Sequence, residues 1–261
     1  VLENSNLLAE AGFFNIAFIL ATSAVTLIPG IYQEVLLPKI TQAAQNNNFR
    51  HSIHQAQRYL LILCLMVLFP VLIYADVIID VLYGERYYNA VFALQIMVIL
   101  KTIIVINNGA NLTLISKDRQ VAMSKVHLLI FLLALVLSFF ITPQYGINGA
   151  LVVYGVLIGI LVISFHYLAK REGYSFISIK LLMKILSASL IAAMPLLVVN
   201  YYTFGILSAL IGSFIFLILY VHLLLVFNCF DYSAGVIFKQ LSEKSPSIYS
   251  TYLLWCAKQS Q

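Results

Sequence analysis

Long apolar runs dominate this sequence and limit what the chain can fold into. Seven segments consist largely of Leu, Ile, Val, Phe and Ala, and each is long enough for an α-helix to cross a bilayer. They lie near Gly12–Ile40, Tyr59–Leu82, Tyr88–Leu114, Lys125–Thr142, Gly146–Ala169, Leu181–Asn200 and Phe204–Cys229. Because the runs are continuous rather than alternating, strands of a transmembrane barrel are excluded. The sequence predicts an all-α, polytopic transmembrane bundle of about seven spans.

Composition excludes a soluble domain. The chain is 62% hydrophobic and 10% charged, whereas a soluble domain carries about 25% charged residues. The formal net charge of +5 does not indicate a nucleic-acid partner, because nearly all basic residues lie in loops on one side of the predicted membrane spans. Apart from Arg86 and Lys101, they follow spans one, three, five and seven. The positive-inside rule therefore predicts that the chain starts outside the membrane and ends in the cytoplasm.

The loops between the predicted spans are too short to hold a catalytic domain, so an enzyme is not expected. The three cysteines are far apart, and the histidines lack a carboxylate or cysteine at ligand spacing, so no metal site is expected. No Gly-rich phosphate loop occurs, and no cofactor is expected.

Because residue 1 is Val rather than Met, we expect the sequence to be part of a larger membrane protein. The tail over 231–261 is amphipathic and Ser-rich, as expected of a segment on the cytoplasmic membrane surface.

Lys101 is the most informative residue, because it lies near the middle of the third span. A cation at this depth is costly, and such residues usually face a bundle interior or an aqueous cavity. With 100° per residue, Asn108 falls within about 20° of Lys101 and Asn111 about 80° away. The three residues predict a polar wall for an anionic or sugar-bearing ligand, with Asn15 of the first span facing the same cavity. The alternative is a Lys that pairs, for packing alone, with a carboxylate of a helix that this sequence does not contain.

The first span contains a candidate gating or coupling segment. Pro29 precedes Gly30 inside the apolar run, and proline removes a backbone hydrogen bond and kinks a helix. Broken helices are frequent where transporters bend or bind. Glu34 lies about one turn beyond and is a candidate group for proton or cation coupling. A tolerated membrane proline and an interfacial glutamate are the alternatives.

Four groups of residues resemble the C-terminal half of bacterial polysaccharide flippases. They are Gly12–Ala17 with Val35–Lys39, Leu82–Tyr87 with Ala93–Ile96, Ser116–Arg119, and Thr142–Ala150. In order and spacing the chain is similar to the O-antigen (Wzx-type) flippases of the multidrug/oligosaccharidyl-lipid/polysaccharide exporter superfamily. The resemblance covers about residues 10–170, and the last two spans match by hydropathy alone.

The resemblance implies two helical lobes around a central cavity, often followed by two added spans. On that template, residues 1–170 form most of the second lobe, 171–230 the two added spans and 231–261 the tail. The family moves an undecaprenyl-diphosphate-linked oligosaccharide across the bacterial inner membrane by alternating access coupled to an ion gradient, H⁺ or Na⁺. Membrane lipids and this lipid-linked sugar are therefore the expected partners, and Lys101 suits the cationic cavity expected in such proteins.

Two alternatives from the same superfamily remain, a multidrug antiporter and a flippase for the peptidoglycan lipid precursor. Drug antiporters favour intramembrane carboxylates for cationic substrates, whereas this sequence places Lys101 inside the membrane. An intramembrane polysaccharide polymerase is a third alternative, which the short predicted outer loops disfavour.

Overall fold

The computed structural model describes residues 5–27, 31, 38, 49–202 and 205–230, and all regular structure within these ranges is helical. The helices are α1 (Ser5–Val25), α2 (Phe49–Ile73), α3 (Ala75–Tyr83), α4 (Ala90–Ile106), α5 (Asn108–Ser116), α6 (Gln120–Arg171), α7 (Ile179–Tyr202) and α8 (Ile206–Val226). A 3₁₀ turn, Glu85–Tyr87, precedes α4. Within the described part, six helical stretches are long and apolar enough to cross a membrane. The predicted all-α fold is confirmed, and the chain is a multi-pass membrane protein.

Several boundaries differ from the predicted spans. Helix α1 begins at Ser5 rather than near Gly12, because Leu7 to Ala11 are good helix formers that hydropathy alone does not join to the span. Helix α2 begins at Phe49, inside the predicted inner loop, contains Pro70 and ends at Ile73. A short helix, α3, then completes the predicted second span.

Helix α6 contains both the fourth and fifth predicted spans. Its 52 residues correspond to a length of about 78 Å, more than twice the hydrocarbon thickness of a bilayer. The backbone is non-helical at Gly146, with φ 55° and ψ −134°. The expected turn near Pro143–Tyr145 is therefore one backbone reversal at Gly146 rather than a loop. We refer to the residues before and after Gly146 as the first and second halves of α6.

The described residues up to Phe176 form one compact unit. In one of its buried clusters, Ala17 and Ala21 of α1 contribute to a core that includes Ala93 and Met97 of α4. Small side chains one helical turn apart allow two transmembrane helices to approach closely. By contrast, Leu128 and Phe139 on the first half of α6 are 60% and 69% exposed. Such apolar surface is stable in hydrocarbon and unfavourable in water.

A second cluster in this unit joins α2, α5 and the segment after α6. Gln57 is 1% exposed, and its Nε2 donates a hydrogen bond to the hydroxyl of Tyr174. Burial raises the pKa of Tyr174, and the hydrogen bond from Gln57 opposes that rise. His54 Nε2 lies 2.7 Å from Ser175 Oγ. These contacts fix residues 174 and 175 against α2.

The residues from Ile177 form a second compact unit in which α7 and α8 pack as an antiparallel pair. Lys184 Nζ donates a 2.9 Å hydrogen bond to the carbonyl oxygen of Phe227, just past the end of α8. A cation at a helix C-terminus is favourable because the last carbonyl groups carry partial negative charge. Assignment of this pair as added spans after a transport lobe stays a prediction, and the predicted amphipathic tail lies outside the described residues.

Candidate substrate site in the membrane interior

Lys101 lies on α4, deep within an apolar span. The span runs from Ala90 to Ser116, which places Lys101 eleven residues after its start and fifteen before its end. At 1.5 Å per residue, each end is about 16–23 Å away along the helix axis. A lysine side chain cannot extend this far to reach headgroup water.

The Lys101 ammonium lies between two aromatic rings. Its Nζ is 3.7 Å from the ring centroid of Phe18 on α1 and 5.6 Å from that of Tyr154 on the second half of α6. The two rings contact each other edge to face, with centroids 6.0 Å apart and an interplanar angle of 72°. Phe18 and Tyr154 are called the aromatic cradle below. Ring faces attract a cation electrostatically, by about 2 kcal/mol where water is scarce.

Within the described part of the chain, Lys101 has neither a carboxylate in ion-pair distance nor a hydrogen-bond acceptor. Aromatic faces attract the positive charge but do not neutralise it, and they leave the ammonium N–H groups able to donate hydrogen bonds. The packing alternative for Lys101 stays a prediction. The arrangement suits an anionic partner.

The helix that carries Lys101 breaks at Asn107. Helix α4 ends at Ile106 and α5 begins at Asn108. The Asn107 amide donates to Ile103 O at 3.1 Å, and its carbonyl oxygen accepts from Ala110 N at 3.0 Å. The angles predicted for Asn108 and Asn111 relative to Lys101 assume one straight helix over 88–114, so they apply only up to this break.

Three asparagines line a small cavity between α5 and α6. The cavity has a volume of about 150 Å³, and its polar wall includes Asn107, Asn108, Asn111 and His127. Asn111 Nδ2 donates a 2.9 Å hydrogen bond to Asn108 Oδ1. That bond leaves the Asn108 amide group and the Asn111 carbonyl oxygen available for further hydrogen bonds. We call these residues the amide cavity.

His127 extends the hydrogen-bonding capacity of the amide cavity. Its Nδ1 lies 2.9 Å from the carbonyl oxygen of Met123. Because a carbonyl oxygen can only accept a hydrogen bond, Nδ1 carries the proton and donates it. In the neutral ring, Nε2 is then an acceptor. Its ring also packs edge to face on Phe165, with centroids 5.3 Å apart. In the described residues, no group of three or more His, Cys, Asp or Glu side chains is placed to hold a metal ion.

The predicted site residues are thus partly brought together. Asn108 and Asn111 share the amide cavity, whereas Lys101 does not line it and instead contacts the aromatic cradle. Asn15 lies exposed on α1, one helical turn before Phe18. Pro29 and Glu34, the candidate gating and coupling residues, lie outside the described residues. Whether any of these residues binds substrate stays a prediction.

The aromatic cradle, His127 and Glu10 are not among the site residues that the sequence predicts. Phe18 and Tyr154 are two of many aromatic residues in apolar helices, and no local pattern distinguishes them. His127 lies near the start of the predicted fourth span, where no pattern marks it as a site residue. Glu10 precedes the predicted first span in the sequence, but it lies on α1 and its carboxylate accepts a hydrogen bond from the backbone N–H of Ile147. The one sequence signal available for Glu10 is an acidic residue two positions before a long apolar run.

The motifs that carry the family resemblance contact other helices. The Phe13 and Tyr87 rings meet edge to face with centroids 5.9 Å apart. In the polar turn after α5, Arg119 Nε donates a 2.7 Å hydrogen bond to Glu172 Oε1 beyond the end of α6. Because the Arg119 side chain is 58% exposed, this ion pair contributes little to stability. These two contacts place Phe13, Tyr87 and Arg119 of the motifs where helical segments meet.

Comparison with known proteins supports the resemblance. Residues 7–92 match the sequence model of a polysaccharide biosynthesis protein family. The fold matches a solved lipid II flippase, MurJ, in an inward closed conformation, with a TM-score of 0.68 and 17% sequence identity. The match covers 84% of this chain and 47% of that structure, so the chain spans about half the length of the flippase. No curated protein matches the sequence. The predicted resemblance to polysaccharide biosynthesis proteins is confirmed over residues 7–92, and the helical fold is similar to that of the solved flippase.

Proposed function

We propose that this chain is part of a transporter that moves an undecaprenyl-diphosphate-linked oligosaccharide across the bacterial inner membrane for O-antigen or other surface polysaccharide. The observation that carries the proposal is Lys101, an ammonium group in mid-span that is held by aromatic faces. The matched polysaccharide biosynthesis family and the flippase fold support the same class of cargo.

The physical problem in such transport is the headgroup. A diphosphate with attached sugars cannot enter hydrocarbon unaided, because burial of an unpaired charge costs many kcal/mol. A polar path past Lys101 lowers that cost by opposing the phosphate charge with a cation, while the prenyl chain stays in lipid. The amide cavity, with Asn108, Asn111 and His127, offers donors and acceptors for sugar hydroxyl groups.

The transport cycle in this proposal is alternating access without chemical conversion, so the protein is a transporter rather than an enzyme. The coupling ion is H⁺ or Na⁺, and Glu34 and Pro29 are the proposed coupling and gating residues. Asn15 is a proposed part of the substrate path. From the positions of the basic residues, the start of this chain faces outward and its end faces the cytoplasm.

A flippase for the peptidoglycan lipid precursor is the second candidate, and the fold match to the lipid II flippase favours it specifically. Both cargoes carry a diphosphate on a polyprenyl chain, so Lys101 does not distinguish them. A multidrug antiporter is a weaker candidate, because a buried cation disfavours cationic drugs. An intramembrane polysaccharide polymerase finds no support in the flippase fold.

Depletion of the intact protein in its host tests the proposal. We expect lipid-linked oligosaccharide to accumulate on the cytoplasmic leaflet while surface polysaccharide falls. Mass spectrometry of extracted lipids identifies the cargo, and protection from an external glycan-binding probe in spheroplasts identifies the leaflet. Accumulation of a peptide-bearing precursor would instead support the second candidate. Unchanged lipid pools with increased drug sensitivity would contradict both flippase assignments.

A further inference from the structure

A carboxylate on α1 holds the point where α6 changes direction. Glu10 Oε2 accepts a 2.8 Å hydrogen bond from the backbone N–H of Ile147. Ile147 directly follows Gly146, whose φ of 55° interrupts the helix. Its N–H is among the first of the second half of α6, and such groups lack partners within their own helix. A carboxylate also complements the partial positive charge at a helix N-terminus.

Gly146 is required for this contact on two grounds. Its positive φ is a conformation that residues with a side chain rarely adopt. In addition, a Cβ atom at this position would overlap Glu10 Oε2. The small cavity around the contact, about 220 Å³, has no basic residue in its lining. Within that lining, the carboxylate is therefore held by the backbone N–H rather than by an ion pair.

The same two helices stay in contact further along their length. Phe14, one turn after Glu10, lines this small cavity together with Ala150. One more turn along, Phe18 packs on Tyr154. Contacts therefore repeat once per turn, and α1 and the second half of α6 run side by side in the same direction. The Glu10 contact lies at one end of this row, and the aromatic cradle lies about 12 Å away, eight residues along α1.

We propose that Glu10 is a positioning residue whose hydrogen bond to Ile147 sets the register between α1 and the second half of α6, and thereby holds Phe18 and Tyr154 around Lys101. Loss of this bond weakens the contact at one end of the row, so that α1 and the second half of α6 shift more easily relative to each other. The two rings come from these two different helices, so any such movement separates them. The effect on transport rests on the function proposed for Lys101, whereas the effect on the cradle does not.

The test compares Glu10→Ala with Glu10→Gln in the intact protein. Glutamine keeps the side-chain length and an acceptor oxygen, so it rescues the positioning role, whereas alanine removes the acceptor. Asp80→Ala, which removes an exposed carboxylate on α3, is the matched control. Hydrogen exchange of the peptide that contains Ile147 reports the bond itself. Labelling of Lys101 by an amine-reactive reagent, relative to Lys117, reports the cradle without any substrate.

We expect Glu10→Ala to raise both hydrogen exchange at Ile147 and labelling of Lys101 by roughly tenfold, the scale of a lost charge-assisted hydrogen bond. Transport falls by a similar factor, and Glu10→Gln stays within about threefold of the natural protein on all three readouts, because a neutral acceptor retains part of the bond. Unchanged exchange or unchanged labelling in Glu10→Ala overturns the proposal. Equal defects in Glu10→Gln and Glu10→Ala also overturn it, because the charge would then matter rather than the acceptor. A normal transport rate in Lys101→Ala is a separate result that removes the proposed function and leaves both substrate-free readouts valid.

Discussion

Substitution of Lys101 by alanine reduces translocation of the lipid-linked substrate by at least about tenfold. A hydrogen bond to a charged group contributes about 1.5–3 kcal/mol, and each 1.4 kcal/mol corresponds to roughly a tenfold change. Lys101→Met should have nearly the same effect, because it keeps the apolar stem between Phe18 and Tyr154 and removes only the charge. Lys101→Arg should retain most of the activity. The measurement is surface polysaccharide in cells that carry each variant at an equal membrane level.

Lys117 is a matched control for this substitution. Its ammonium also lies over an aromatic ring, 5.0 Å from the centroid of Phe49, but the residue is at the end of α5 rather than in mid-span. Lys117→Ala should therefore leave translocation within about twofold of normal, on the scale of a weak cation–π contact at a helix end. Equal loss of activity in the two lysine variants would contradict the explanation that Lys101 is important because of its mid-span position.

Substitution of Gly109 by alanine lowers the free energy of unfolding by about 2–3 kcal/mol. A Cβ atom there would lie 2.6–2.8 Å from Nε2, Cγ and Cδ of Gln57. Gln57 is almost fully buried and donates to Tyr174, so it cannot move aside without losing that bond. Steric overlap in a packed core costs about 1–3 kcal/mol, and loss of the hydrogen bond of a buried amide costs a similar amount. The higher helix propensity of alanine offsets up to about 1 kcal/mol of this cost.

Gly159 is the matched glycine, because a Cβ atom there meets nothing within 4 Å. Gly159→Ala should be neutral or slightly stabilising in thermal unfolding of the purified protein, with a change below about 1 kcal/mol. On a Gln57→Ala background, Gly109→Ala should add almost no further cost, since the overlapping atoms are gone. Equal destabilisation by Gly109→Ala with and without Gln57 would show that the steric explanation is wrong.

Hydropathy was enough to predict the membrane fold, because a helix in hydrocarbon needs about 20 apolar residues and leaves a clear signal. The ends of helices depend on weaker effects. Ser5 and Phe49 begin helices in stretches that hydropathy assigns to loops. The helix break at Asn107 and the continuation of helix α6 through Pro143 do not change the average hydropathy, so hydropathy does not predict them.

The candidate site was predictable only where one helix determines it. Asn108 and Asn111 are three residues apart, so helical periodicity alone places them together, and they do share a hydrogen bond. The depth of Lys101 also follows from its position in the sequence. Its neighbours do not, because Phe18 and Tyr154 belong to helices that are distant in sequence. No local pattern specifies which of the aromatic residues will meet a given lysine.

The central claim, that the Lys101 ammonium recognises an anionic headgroup, is tested most directly by equilibrium binding to the purified intact protein. Undecaprenyl diphosphate and the uncharged alcohol undecaprenol are compared for the natural protein and for Lys101→Met. The account predicts that Lys101→Met weakens diphosphate binding by at least about tenfold and leaves undecaprenol binding unchanged. Equal diphosphate affinity in the two proteins would contradict it.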